Sequence, residues 1–171
     1  MTALRKFITG LCLTAALASV GTAQVAVPER LQPPKGEALI ARVHARGFQI
    51  YTCKADGPRY TWVLKAPDAE LFDESGRKVG RHFAGPTWEW IDGSQVMGKV
   101  AAAIPSPEAS SVPWLLLTAR DHAGEGELAH VTSVQRVHTN GGKAPAEGCD
   151  AAHLGRETRV AYTADYFFYG K

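Results

Sequence analysis

From Glu37 onward the chain is a series of short apolar runs rich in β-branched and aromatic residues, bounded by glycine, proline, aspartate or asparagine. Within the run 48–54, Phe48 and Ile50 alternate with Gln49 and Tyr51, the period of two that places successive side chains on opposite faces of a strand. No stretch has the longer period of a convincing amphipathic helix. The pattern predicts about eight to ten strands in an all-β fold, a single-domain antiparallel β-sandwich or barrel.

The predicted strands are the runs 37–45, 48–54, 60–65, 68–72, 82–91, 95–104, 114–119, 128–139 and 160–169. Arg46-Gly47 predicts a tight hairpin between the first two, and Asp56-Gly57-Pro58 predicts the next turn. The continuous apolar run 114–119 is typical of a strand buried on both faces. Residues 105–113 and 140–155 are predicted to be loops, with a short helix over 150–154 as an alternative in the second.

The first 23 residues resemble an export signal rather than part of a fold. Arg5 and Lys6 precede a 14-residue apolar run, and Gly21 and Ala23 supply the small residues before a cleavage site. The run is shorter than the roughly 20 residues of a membrane-spanning helix, although an uncleaved anchor is the alternative. We therefore predict a signal peptide over 1–23, an extended N-terminal segment over 24–36 and a β-domain over 37–171, in a secreted or periplasmic protein.

Two cysteines remain after the signal, Cys53 and Cys149. In an oxidising compartment such a pair most simply forms one structural disulfide. The alternatives are a metal-binding pair, for which no CxxC spacing exists, and a catalytic thiol.

The charge of the mature chain is close to zero. Removing Arg5 and Lys6 leaves 17 basic against 17 acidic residues. Nucleic acids and anionic membrane surfaces attract proteins with a positive surplus, so neither is predicted as a partner. No later stretch is long and apolar enough for membrane insertion of the mature chain.

Potential binding groups are densest in the segment 82–94. We predict a ligand-binding surface made by His82, Trp88, Glu89, Trp90 and Asp92, because neighbouring indoles with nearby carboxylates form a stacking platform for a sugar ring or another flat ligand. In an extended strand both tryptophans share one face. Two alternatives are open: at least one indole packs in the core, or Glu89 and Asp92 act as a glycosidase acid/base pair.

Other signals are weaker. The sequence contains no nucleotide-binding, phosphate-binding or metalloprotease motif, and we predict neither a cofactor nor a metal site. Any metal site would need histidines from separate strands, for instance His44 and His82. Asp165 lies within an aromatic strand and must face solvent, pair with a cation such as Arg136, or have a raised pKa; an ion pair is the favoured reading.

Six segments together resemble the family catalogued as domain of unknown function 3455, found in secreted bacterial and fungal proteins. They are GFQIYTC at 47–53, YTWVLKAPDAELFD at 60–73, HFAGPTWEWIDGSQVMG at 82–98, PWLLLTA at 113–119, VTSVQRVHTNGGKAP at 131–145 and YTADYFFY at 162–169. The two mature cysteines also fit that family. The resemblance implies a single secreted domain and no particular chemistry.

The sequence therefore favours a secreted, non-catalytic β-domain. Its expected partner is a carbohydrate, an envelope or extracellular polymer, or a small ligand. The alternatives are a hydrolase or metal-dependent enzyme using the 82–92 segment, and a structural or adhesion protein.

Overall fold

The computed structural model describes residues 26–171, which form one closed antiparallel barrel of eight strands. The strands are β1 (Ala38–Asp56), β2 (Arg59–Phe72), β3 (Lys78–Phe83), β4 (Thr87–Trp90), β5 (Gln95–Ile104), β6 (Trp114–Ala123), β7 (Val131–Gly141) and β8 (Glu157–Gly170). Each strand pairs with the next in sequence, and β8 pairs with β1. The prediction of an all-β antiparallel domain is confirmed, and the form it takes is a barrel. No helix of the described residues is long and apolar enough to cross a membrane.

The ladder between β1 and β8 closes the barrel. It runs from Ala38 opposite Gly170 to Thr52 opposite Glu157, nearly the whole length of both strands. Closure removes the exposed edges that an open sheet would present to other chains.

The up-and-down order gives the barrel two distinct ends. The connections 57–58, 84–86, 105–113 and 142–156 lie at one end, which we call the upper end. The connections 73–77, 91–94 and 124–130 lie at the lower end.

The barrel interior is filled mainly by apolar side chains that alternate along the strands. Its fully buried members include Val43, Leu71, Val96, Val134 and Phe168. Alternation of inward and outward side chains is the ordinary consequence of the strand period.

A second apolar cluster lies outside the barrel, beneath the N-terminal segment. Leu31 is fully buried there against Trp114, Leu116 and Val137. The segment contains one turn of 3-10 helix, Glu29–Leu31. The Gln135 amide donates a hydrogen bond of 2.6 Å to the Leu31 carbonyl oxygen. Residues 114–117 of β6 are therefore covered on both faces, as the apolar run predicts, whereas Thr118 and residues 120–123 of the same strand are exposed.

The hairpin predicted at Arg46-Gly47 is wrong, because β1 continues through it without a turn. Gly47 is needed for a close approach instead. A Cβ atom placed on it would lie 2.2 Å from the backbone oxygen of Asp68 on β2. A glycine within a strand often marks such an approach between backbones, and here it was mistaken for a turn.

Two other predicted boundaries also differ. The run 82–91 is divided by a turn at 84–86, where Gly85 has a φ of 122° and Pro86 follows. Conversely, β2 continues through Pro67, which lies between the separately predicted strands 60–65 and 68–72. Strand β2 pairs with β3 only from Ala69 onward. Pro67 has no N–H to donate, but it faces no paired strand on that side, so no hydrogen bond of the β2–β3 ladder is lost.

The predicted disulfide between Cys53 and Cys149 is present. It fastens the loop 142–156 to β1 at the upper end of the barrel. The Cys53 N–H also donates to the Arg156 carbonyl oxygen at 2.9 Å. The short helix in this loop is a single 3-10 turn, Ala151–His153, capped by the Asp150 carboxylate.

Replacing Cys149 with serine should lower the free energy of unfolding by about 2–5 kcal/mol, because the bridge closes a very long loop in the unfolded chain. The sequence separation of 96 residues is the source of that effect. Chemical denaturation of both proteins measures the difference. A reducing agent should destabilise the wild type to the same degree and leave Cys149→Ser unchanged. Equal stability of the oxidised wild type and the variant would contradict this expectation.

Candidate functional site

A cavity of about 260 Å³ opens at the upper end of the barrel. It lies beside the gap where β2 and β3 are not yet paired. Its lining residues are Gln49, Leu64, Lys65, Ala66, Pro67, His82, Gly85, Pro86, Trp88, Val100, Leu115, Leu117, Arg136 and Tyr166. An eight-stranded barrel leaves an interior just wide enough for packed side chains or for one small ligand.

Three stacked or edge-packed aromatic rings form one wall of the cavity. The His82 imidazole stacks on the Trp88 indole with ring centroids 4.4 Å apart and planes 9° apart. Tyr166 meets both rings edge-on, at 5.2 Å from His82 and 5.5 Å from Trp88. All three side chains are almost completely buried. The His82 and Trp88 rings are therefore nearly parallel, and the Tyr166 ring stands at a steep angle to both.

Several polar groups around the cavity have no hydrogen-bond partner. Among the described residues, the buried atoms with no partner at hydrogen-bonding distance include Gln49 Nε2, Trp88 Nε1 and the Tyr166 hydroxyl, all on side chains that line the cavity. The Tyr162 hydroxyl nevertheless lies near enough to Gln49 and Tyr166 to interact with both. Leaving a buried polar group unsatisfied costs about 1–3 kcal/mol. Native proteins keep few such groups, and each calls for an explanation.

Arg136 is a buried cation on the same cavity wall. Its side chain comes from β7, and the residue is only 9% exposed. Its Nε and Nη2 groups donate to the carbonyl oxygen of Pro113, at 3.2 and 2.9 Å. No carboxylate within residues 26–171 forms an ion pair with it. The guanidinium therefore contributes an uncompensated positive charge to the barrel interior.

His82 is held neutral in one tautomer. Burial, the largest cause, and the Arg136 charge lower its pKa, while the hydrogen bond to Thr87 acts in the opposite direction, and the result is a pKa of about 3. Its Nδ1 lies 2.8 Å from the Thr87 carbonyl oxygen, which can only accept. Nδ1 must therefore donate, and Nε2 carries the lone pair.

The predicted segment reaches this cavity with two of its five residues, His82 and Trp88. Trp90 shares the inward face with Trp88, and both rings meet Phe168 edge-on, at 6.0 and 6.1 Å. The Trp88 indole therefore packs in the core, as one alternative held, although it also lines the cavity. The prediction that the whole segment binds a ligand stays a prediction.

The two carboxylates of the segment lie elsewhere. Glu89 is on the outer face, where it accepts hydrogen bonds from Arg81 at 2.9 and 3.1 Å and from Gln95 at 2.6 Å. The Arg81 hydrogen bond is the main cause that lowers the pKa of Glu89. No carboxylate of the described chain lines the cavity.

Asp92 is at the lower end, where it joins two connections. One carboxylate oxygen accepts from the backbone and hydroxyl of Ser94, at 2.8 and 2.6 Å. The other accepts from the Glu127 N–H at 2.9 Å. Hydrogen bonds from Ser94, followed by that from Glu127, lower the pKa of Asp92. Asp92 thus fastens the closure of the lower end and does not share a site with Glu89.

Asp165 forms the predicted ion pair, but with different partners from the one suggested. Its oxygens lie 3.0 Å from His44 Nδ1 and 2.9 Å from His138 Nδ1, on the outer face, with Arg42 at 3.6 Å. Burial raises the pKa of Asp165, but the hydrogen bonds to His44 and His138 outweigh it, and the net pKa is lowered. Arg136 faces the interior instead.

His44 and His82 are therefore on opposite faces of the barrel wall and cannot share a metal ion. Nowhere in residues 26–171 do three histidine, cysteine or acidic side chains group in a way that could hold one.

Sequence reasoning missed Gln49, Arg136 and Tyr166 as site residues. Each occupies an alternating position on a predicted strand, so the period of two was visible. The sequence does not show which face of each strand points into the barrel.

Because the unfolded chain binds a proton at His82 near pH 6.5 and the folded chain does so only near pH 3, lowering the pH between these values should destabilise the protein. The contribution is about 1.4 kcal/mol per pH unit. Denaturation midpoints measured from pH 7 to about 5 should show this slope in the wild type and lose it in His82→Gln. His130→Gln, at an exposed position, should retain the wild-type slope. An identical slope in all three proteins would count against a neutral buried His82.

The comparisons with known proteins give one match. The family model described as "Protein of unknown function (DUF3455)" matches residues 33–170, which include all eight strands, both disulfide cysteines and every residue that lines the cavity. No curated protein and no solved structure matches the chain. The resemblance inferred from the six segments is thereby confirmed, and the chain belongs to the DUF3455 family of proteins of unknown function.

Proposed function

We propose that this protein is a non-catalytic binding protein that takes one small, flat, partly apolar ligand into the upper end of its barrel. The observation that carries the proposal is the set of unpartnered buried polar atoms on Gln49, Trp88 and Tyr166 around an open cavity. A ligand that bonded these groups would recover their hydrogen bonds, and that recovery would favour binding.

The shape of the cavity supports a small ligand over a polymer. Its mouth is lined by apolar surface from Leu64, Pro67, Pro86 and Val100, and its inner wall is the flat His82–Trp88 stack. A ring could lie against the stack while apolar mouth residues exclude water. A polymer chain would need an open groove rather than a cavity of about 260 Å³.

The chemistry of the lining supports binding without catalysis. The described lining contains no carboxylate, thiol, serine or threonine. His82 is neutral and its Nδ1–H donates to Thr87, and the described lining offers its Nε2 lone pair no serine, threonine or cysteine to activate. These features favour the binding protein over the hydrolase.

The indole N–H of Trp88 offers a direct test by proton–nitrogen NMR. The four tryptophans should give four indole signals, and Trp88→Phe assigns the one from the cavity. Phenol, benzamide and indole serve as neutral flat probes. We expect at least one of them to shift the Trp88 signal and to leave that of Trp62 in place, because the Trp62 indole already donates to Glu147 at 2.9 Å outside the barrel.

Two variants of β2 provide the matched control. Leu64 lines the cavity mouth, whereas Val63 is the neighbouring exposed residue and does not. Leu64→Trp should block the mouth and abolish the shift of the Trp88 signal, whereas Val63→Trp should preserve it. If no probe moves the Trp88 signal, or if both variants respond like the wild type, the proposal fails.

We also propose that the chain is exported after removal of residues 1–23, which lie outside the described residues. The basic and apolar pattern of that segment supports export, and a disulfide is typical of oxidising compartments.

Mass spectrometry of the exported protein should give a chain that begins at Gln24. Leu13→Arg, which interrupts the apolar run, should retain the protein inside the cell with Met1 still attached. An exported wild-type chain that keeps residues 1–23 would contradict this expectation.

A further inference from the structure

We infer that the ligand of the barrel cavity carries a carboxylate group and that Arg136 binds it. The inference rests on the proposed function, because it names the chemical class of the molecule that the cavity takes. It is drawn from the charge and hydrogen-bonding capacity of the lining residues.

The first observation is that Arg136, the buried arginine of the described chain, has no acidic partner. The exposed Arg81 pairs with Glu89 at 2.9 Å, and the exposed Arg159 pairs with Asp68 at 2.7 Å. Arg136 is 9% exposed, and its only hydrogen bonds go to a neutral carbonyl oxygen. A buried charge is costly unless it is paired, so an anion entering the cavity would supply the partner that the described chain lacks.

The second observation is an excess of donors. The unpartnered Trp88 Nε1 can only donate, and so can the unpartnered Gln49 Nε2. The guanidinium group of Arg136 likewise carries only hydrogen-bond donors. A ligand that satisfies such a wall must be rich in acceptor lone pairs, and a carboxylate offers two oxygens in a plane that suits a guanidinium.

The remaining surface indicates what the carboxylate is attached to. Leu117 and the face of Trp88 are apolar, and the lone pair on His82 Nε2 could accept from a ligand hydroxyl. The volume of about 260 Å³ lies just below the roughly 300–1,000 Å³ of sites for drug-sized ligands. These dimensions favour a single-ring aromatic acid.

Arg136 also has a structural contact that the test must separate from binding. Its two hydrogen bonds to Pro113 hold the loop 105–113 against β7. Lysine keeps the positive charge, whereas glutamine removes the charge and keeps a hydrogen-bond donor. Comparing these two replacements separates the effect of the charge from that of the loop contact.

Benzoate and benzamide are the probes, since they have nearly the same shape and differ in charge. Titrations monitored at the Trp88 indole signal should show benzoate binding the wild type about tenfold tighter than benzamide, as a charge-assisted hydrogen bond predicts. Arg136→Lys should retain part of this preference, and Arg136→Gln should lose it. Arg159→Gln, which removes the same charge from the exterior, should leave the preference unchanged.

The outcomes distinguish this inference from the proposed function. If benzamide shifts the Trp88 signal and benzoate binds no tighter, the carboxylate inference is overturned and the binding function stands. If no neutral or charged probe shifts the signal, both are overturned. If the Arg136 variants do not fold, the test uses the wild type and Arg159→Gln. A preference for benzoate over benzamide in both proteins then supports the inference. A preference lost in Arg159→Gln would assign it to the surface and overturn the inference.

Discussion

The pairing of β1 with β8 is the contact on which the rest of the molecule depends. Without it the sheet would have two long open edges, and the interior would be exposed along its whole length. With it, Gln49 of β1 and Tyr166 of β8 come to the same enclosed space although 117 positions separate them in the chain. The disulfide then fastens the adjoining loop to β1 at the end where the cavity opens.

The interior serves two physical purposes at different heights. Towards the lower end, Leu71, Val96 and Leu128 are fully buried in a continuous apolar core, and burial of apolar area is the main source of stability. Towards the upper end, Arg136 and the unpartnered indole of Trp88 replace such packing with polar groups that cost free energy. Proteins commonly accept such costs at sites of function.

The segment 82–94 shows why a dense group of functional side chains need not form one site. A strand directs successive residues to opposite faces and advances about 3.3 Å per residue. Trp88 therefore lines the cavity and Glu89 faces the exterior, while Asp92 has already reached the opposite end of the barrel. Residues that are close together in the sequence are therefore far apart in the structure. The cavity instead draws residues from all eight strands, and six of these strands contribute a single residue each.

The sequence by itself determined the local structure and the covalent frame. Its period of two dictated strands, and its glycine-rich turns at 57–58 and 92–94 ended them, because these effects act between near neighbours. The single pair of cysteines after the predicted signal likewise determined the disulfide. Only the tertiary structure decided that the sheet closes and which face of each strand points inward. Strand pairing and register join residues far apart in the chain, so the burial of Arg136 without a carboxylate followed from closure and could not be read from its neighbours.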